Sequence, residues 1–203
     1  MSPLPEASPG SHPRSTSAIA ESHEFSPHER SLLLGQAHDA IASVFEHRTL
    51  ATEPPSPHLA EQRGVFTTIY CAGALRGCVG YALPTTPLFR AVAETARAAA
   101  FEDMRFPPLR PDELPQLEVS VSVLSPLRPV RPEEVEIGCH GLLISLHGHR
   151  GLLLPQVAVE HGWDRVTFLQ QTCRKAGLPL DAWQSGAEIQ SFTAEVFGDA
   201  GRK

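Results

Sequence analysis

The chain has 203 residues, 41% of them hydrophobic, and a net charge of −6. That length suits one domain of ordinary size, or one domain plus a tail, and the absence of any Lys/Arg concentration excludes a dedicated nucleic-acid surface. The four cysteines, Cys71, Cys78, Cys139 and Cys173, form no CxxC pair, which excludes a structural zinc site of paired ligands.

Residues 1–24 are rich in Pro and Ser, with Pro3, Pro5, Pro9 and Pro13. Too few large apolar side chains are present to offset ordering entropy, so a disordered tail is expected there and a single domain over 25–200. Ser26-Pro27-His28-Glu29 reads as a capping box opening a helix to about His47, with Leu33, Ala37, Ile41 and Val44 at helical spacing. Val65–Cys71 and Leu75–Tyr81 read as strands of a hairpin joined by Ala72-Gly73-Ala74. A second helix is expected from Pro87 to Phe101, N-capped by Thr86, with an Ala-rich face suited to close packing.

Leu117, Val119, Val121 and Val123 alternate with Glu118, Ser120 and Ser122, the pattern of a half-buried strand. Short strands over 141–146 and 151–154 flank the turn His147-Gly148-His149-Arg150. A third helix is expected from Asp164, as N-cap, to Gly177, and a last strand from Ile189 to Phe197. Strands and helices do not alternate strictly, which favours an α+β fold with antiparallel sheets. The apolar runs at 142–146 and 152–154 are too short to span a bilayer. With no secretory signal read, a reduced cytoplasmic setting is expected.

Leu75-Arg76-Gly77-Cys78-Val79-Gly80 carries the most chemistry. Strand alternation would put Arg76, Cys78 and Gly80 on one face, where a guanidinium beside a thiol favours the thiolate. Glycines inside a strand mark a close approach by a ligand or another backbone, which makes Gly77 and Gly80 candidate binding positions. The alternative is a buried strand with a small apolar Cys, a bulge glycine and an ion-paired Arg. The KH-like GxxG here has an apolar centre and no basic surroundings. His147 and His149 have the i, i+2 spacing of a metal pair, but fall on a hairpin tip, so no metal site is expected. Cys71, Cys139 and Cys173 read as small apolar fillers, and Trp163 and Trp183 as packing at helix ends.

From about Glu24 to Gly198 the chain resembles the AMMECR family, system protein A in the AmmeMemoRadiSam naming. The hallmark LRGCIG stands at Leu75–Gly80 with Val79 for Ile. Phe101-x-Asp103-x-Arg105-Phe106, Glu113-Leu114, His140-Gly141-Leu142, Leu153–Val157, Gly162-Trp163-Asp164 and Lys175–Leu178 also match. Met104 departs from the usual Pro and should loosen that turn. The resemblance implies a two-lobed domain. Its larger lobe comes from both ends and its smaller lobe from the middle, roughly 85–155, with the hallmark facing the cleft between them.

The family has no assigned reaction. Its prokaryotic members are grouped with a Memo-like protein and a radical S-adenosylmethionine protein, the partners this resemblance implies, and no cofactor is expected. Two functions remain open. One is an enzyme with Cys78 as nucleophile, Arg76 stabilising negative charge, His140 as base, and a substrate held by Gly77, Gly80, Asp103 and Arg105. The other is a non-catalytic protein-binding module using the same cleft, with Asp103 and Arg105 as an ion pair fixing their loop.

Overall fold

In the computed structural model, which describes residues 23–199, helix α1 (Pro27–Glu46) begins at the expected capping box. Ser26 Oγ accepts from Glu29 N at 3.3 Å, and the Glu29 carboxylate accepts from Ser26 N at 2.9 Å. Residues 1–22 of the expected tail lie outside the described residues. Glu24, assigned to that tail, is anchored: its carboxylate accepts a fork from Arg63 at 2.6 and 2.8 Å, and its N–H donates to Glu195 at 2.7 Å. Phe25 beside it is buried.

The remaining elements are β1 (Val65–Cys71), β2 (Ala74–Tyr81), α2 (Leu88–Phe101), β3 (Leu117–Leu124), β4 (Arg128–Pro129), β5 (Gly141–Leu146), β6 (His149–Leu153), α3 (Pro155–Glu160), α4 (Arg165–Lys175), β7 (Glu188–Phe192) and β8 (Ala194–Gly198). The fold is α+β with two antiparallel four-stranded sheets, ordered β2-β1-β3-β8 and β4-β7-β5-β6. In the first sheet, alternation sorts the residues cleanly. Val65, Thr67 and Ile69 of β1 and Val119, Val121 and Val123 of β3 are buried with α1 and α2 in one core. Their neighbours Phe66, Thr68, Tyr70, Ser120 and Ser122 stay half-buried on the opposite face. The Thr67 and Thr95 hydroxyls, both buried, hydrogen-bond each other at 2.7 Å, so the polar pair in this core is satisfied. The second sheet packs Leu142, Ile144 and Ile189 with Phe168, Leu169 and Cys173 of α4 in a separate core.

The chain passes between the sheets at 125–127 and again at Thr193. Ser125 N donates to Thr193 O at 2.9 Å and Thr193 N to Ser125 Oγ at 3.0 Å. This pairing explains why the single expected strand over 189–197 is two. Thr193 turns its backbone to Ser125, leaving β7 in the second sheet and β8 in the first. The two cores also divide the chain differently from a smaller unit at 85–155. Helix α2 belongs to the first core, and the second sheet reaches from Arg128 to Phe192.

Three local expectations are corrected. Both hairpin turns are two residues long, Ala72-Gly73 and His147-Gly148, all at positive φ, so Ala74, His149 and Arg150 are strand residues. That left-handed pair matches the twist of the flanking strands. Thr86 does not cap α2; Pro87 is the N-cap residue, and Leu88 N donates to Glu61 O at 2.8 Å instead. The six-residue α3 was not anticipated, being too short to show a period.

Helix α2 lies unusually close to β2, because a Cβ on Gly77 would sit 2.0 Å from the Ala99 carbonyl oxygen. The Ala-rich face performs the expected close packing against this glycine. Gly77→Ala should therefore cost about 1–3 kcal/mol in urea unfolding. Gly35→Ala, on an exposed helical position with nothing within 4 Å, should instead add about 1 kcal/mol. Equal effects of the two changes would refute the close approach.

Candidate functional site: the Cys78 edge strand

Cys78 sits mid-β2, opposite Thr68, in a row that continues across the sheet through Ser120 to Gly198. Thr68 Oγ1 donates to Cys78 Sγ at 3.2 Å. Strand β2 is the edge of its sheet, and the Cys78 backbone groups point off that edge. Cys78 N donates to Asp103 Oδ2 at 2.9 Å, and Cys78 O accepts from Arg105 Nη2 at 3.2 Å. The Asp103 and Arg105 side chains are joined by two further bonds, of 2.9 and 2.7 Å. One acceptor and one donor thus take the places a neighbouring strand would fill, closing an otherwise open edge.

The ion pair proposed in the sequence reading is present, and it acts on the backbone of the hallmark. Arg105, and then the Cys78 N–H, hold the Asp103 carboxyl well below the usual carboxylate range, and Asp103 raises Arg105 in return. A carboxylate held this way is a poor proton acceptor. The turn lacking Pro at Met104 is secured locally. Asp103 Oδ1 accepts from Arg105 N at 3.2 Å, Phe106 N donates to Asp103 O at 3.0 Å, and Met104 projects into solvent.

The expected placement of Arg76 beside the thiol is corrected. Ile69 pairs with Gly77 and Tyr70 with Leu75, which leaves Arg76 as the extra residue of a β-bulge. A bulge interrupts alternation and re-aims its side chain. Arg76 forks Glu113 at 2.8 and 3.1 Å, and donates to the carbonyls of Pro107 at 2.6 Å and Pro108 at 3.2 Å. Arg76 is the main cause of the lowered Glu113 carboxyl, with the Arg110 N–H a smaller one. The guanidinium bonded to Cys78 belongs to Arg105.

Both hallmark glycines make room for protein. The Ala99 carbonyl fills the space at Gly77, and at Gly80 a Cβ would lie 2.2 Å from the Phe66 ring. His140 stands before β5 in the second sheet, where its Nδ1 accepts from Glu136 N at 3.1 Å. Among the described residues no hydrogen bond joins Cys78 to His140, His147, His149 or His161. Cys173 is a buried filler whose thiol is pushed up by burial, whereas Cys139 is exposed, against expectation. Thr68 and Glu113 were given no role from sequence. Glu113 lay within a matched motif, but its partner across 37 residues left no local signal.

Two antiparallel four-stranded sheets with their helices make the chain an α+β domain. The AMMECR1 family profile matches residues 34–197, and the chain belongs to that family. It is 49% identical to a protein of Thermococcus gammatolerans over 160 residues, covering 71% of this chain and 78% of that one. It is 43% identical to a protein of Methanopyrus kandleri, covering 83% and 87%. The crystal structure of an uncharacterized protein from Pyrococcus horikoshii aligns with a TM-score of 0.68 at 38% identity, covering 83% of this chain and 90% of that one.

Asp103 and Glu113 both have lowered carboxyl pKa values in the fold. Their stabilisation is complete above the unfolded carboxylate value of about 4 and is lost as pH falls below it. Asp103→Asn should lower the urea midpoint at about pH 7 and flatten its decline toward about pH 3. An acid decline as steep as that of the wild type would disconnect Asp103 from the fold's stability.

Proposed function

We propose that the protein is a non-catalytic protein-binding module whose recognition surface is the half-buried face of the first sheet around Cys78. One observation carries this reading. The hallmark's arginine and the ion pair at its edge are committed to contacts within the protein: Arg76 to Glu113 and two carbonyls, Asp103 and the largely exposed Arg105 to each other and to the Cys78 backbone. The motif builds a rigid edge and presents Cys78, Thr68, Ser120, Ser122 and Phe66 beside it. This face carries hydroxyls, a thiol and the Phe66 and Tyr70 rings, with the Glu118 carboxylate at one end, and its aromatic rings are the side chains on it that protein interfaces favour. The partners implied by the resemblance are a Memo-like protein and a radical S-adenosylmethionine protein.

The test is calorimetry of the purified chain with each of those two proteins. Ser120→Arg, at the centre of the face, should weaken binding by at least about tenfold, because a desolvated unpaired charge costs several kcal/mol. Cys78→Ser should bind nearly as well as wild type. Unchanged binding by Ser120→Arg removes this surface from the interface.

The cysteine-enzyme reading keeps one supporting observation, the Thr68 hydroxyl donating to Cys78 Sγ, since such a donor favours a thiolate. Iodoacetamide labelling separates the two readings. A binding module should label exposed Cys139 ahead of half-buried Cys78 near neutral pH. Faster labelling of Cys78, slowed by Arg105→Ala, would make the enzyme the better reading.

A further inference from the structure

We propose that the joint between the two sheets is a binding site for a small organic oxyanion with an apolar body, separate from the Cys78 surface. Two spaces meet at this joint. One is a cavity of about 190 Å³ whose walls include Ala82, Pro84, Leu124, Leu127 and Phe192. The other is a groove of about 260 Å³ lined by Arg128, His140, Ser191 and Thr193. They share Ser125, Pro126 and Phe192, which sets them side by side at the joint, and the proposed ligand spans the two.

The two spaces differ in chemistry. An apolar cavity of roughly 150 Å³ is enough to take benzene, so the first accommodates one ring or a branched aliphatic group. The second is furnished with donors. Arg128 has an exposed guanidinium with no carboxylate partner among the described residues. His140 Nδ1 accepts the Glu136 N–H, which leaves Nε2 as the ring nitrogen that can donate to a ligand. Ser191 and Thr193 add hydroxyls. No Asp or Glu lines either space, on a chain whose net charge is −6. Arg63, on the cavity wall, is already neutralised by its fork with Glu24. The unpaired positive charge is therefore at the groove end, next to an apolar compartment. Such a site takes an oxyanion head, carboxylate or phosphate, through Arg128 and His140, and buries the attached apolar group against Phe192 and Leu124. His140 thereby acquires a binding role far from the thiol.

The experiment titrates the full chain with phenyl phosphate, phenylacetate, inorganic phosphate and benzyl alcohol while recording amide NMR shifts. At least one aryl anion should move the Gly64, Leu124, Leu127 and Phe192 amides and bind about tenfold more tightly than inorganic phosphate or benzyl alcohol, the scale of one charge-assisted hydrogen bond. The preferred aryl anion identifies the head group. Arg128→Gln should weaken the anions about tenfold and leave benzyl alcohol unchanged. Ala82→Leu, which fills the apolar end, should weaken every aryl probe and spare inorganic phosphate. Shifts centred elsewhere, equal affinities for all four probes, or anion binding indifferent to Arg128→Gln would each overturn the assignment.

Discussion

The approach of α2 to β2 governs the rest of the first unit. At Gly77 the helix backbone and the strand backbone come within the distance of a single missing methyl group. With the helix seated this low, the chain leaving it at Phe101 falls along the free edge of β2. There Asp103 and Arg105 reach the Cys78 amide and carbonyl, and Glu113 meets the bulged Arg76. A larger residue at position 77 would lift the helix and move these contacts out of reach together. The hallmark is in this sense a packing instruction first. Its glycine sets a distance, its arginine fixes the returning loop, and its cysteine is left on the half-buried face away from the core.

A second set of charges does comparable work at the opposite side of the sheet. Arg63 is buried, donates to the Leu124 carbonyl at 2.9 Å, and forks Glu24. Glu195 of β8 accepts from the Glu24 and Phe25 amides and from Arg30. Phe25 lies beneath, stacked on the His58 ring at 4.6 Å. Buried charge is tolerated here because each group is paired and hydrogen-bonded. The same cluster ties the start of the described chain to its last strand and to the segment that leads to the second sheet.

Features that act within a few residues were legible in the sequence. Ser26 and Glu29 announced α1, Asp164 and Gly177 bracketed α4, and the Leu117–Val123 alternation gave the central strand with its faces correctly sorted. Features made by pairing were not. One unpaired residue at Arg76 leaves no compositional mark, yet it undid the inference that its guanidinium sits beside the thiol. The break at Thr193 arises from a hydrogen bond to Ser125, 68 residues away, and no local pattern carries it. Around Cys78 the sequence pointed to Asp103 and Arg105, which touch its backbone, but also to His140, which stands before β5 in the second sheet. The division of labour among them, with Asp103, Arg105 and Arg76 holding the strand and Thr68 touching the sulfur, depended on which strand lay at the edge.

The split at Thr193 also sets an order of assembly. Strands β1, β2 and β3 and both long helices are complete in the chain by Leu124, whereas β8, their fourth strand, follows the whole second sheet. Until β8 is made, the first unit has only three of its strands, and the outer edge of β3 has no partner within that sheet. The Glu195 contacts to Phe25 and Arg30 are missing for the same interval. Folding of the second unit brings β8 back toward β3 and shortens the loop that has to close. A nascent chain stalled within the second sheet would expose that β3 edge as a site for pairing with another chain.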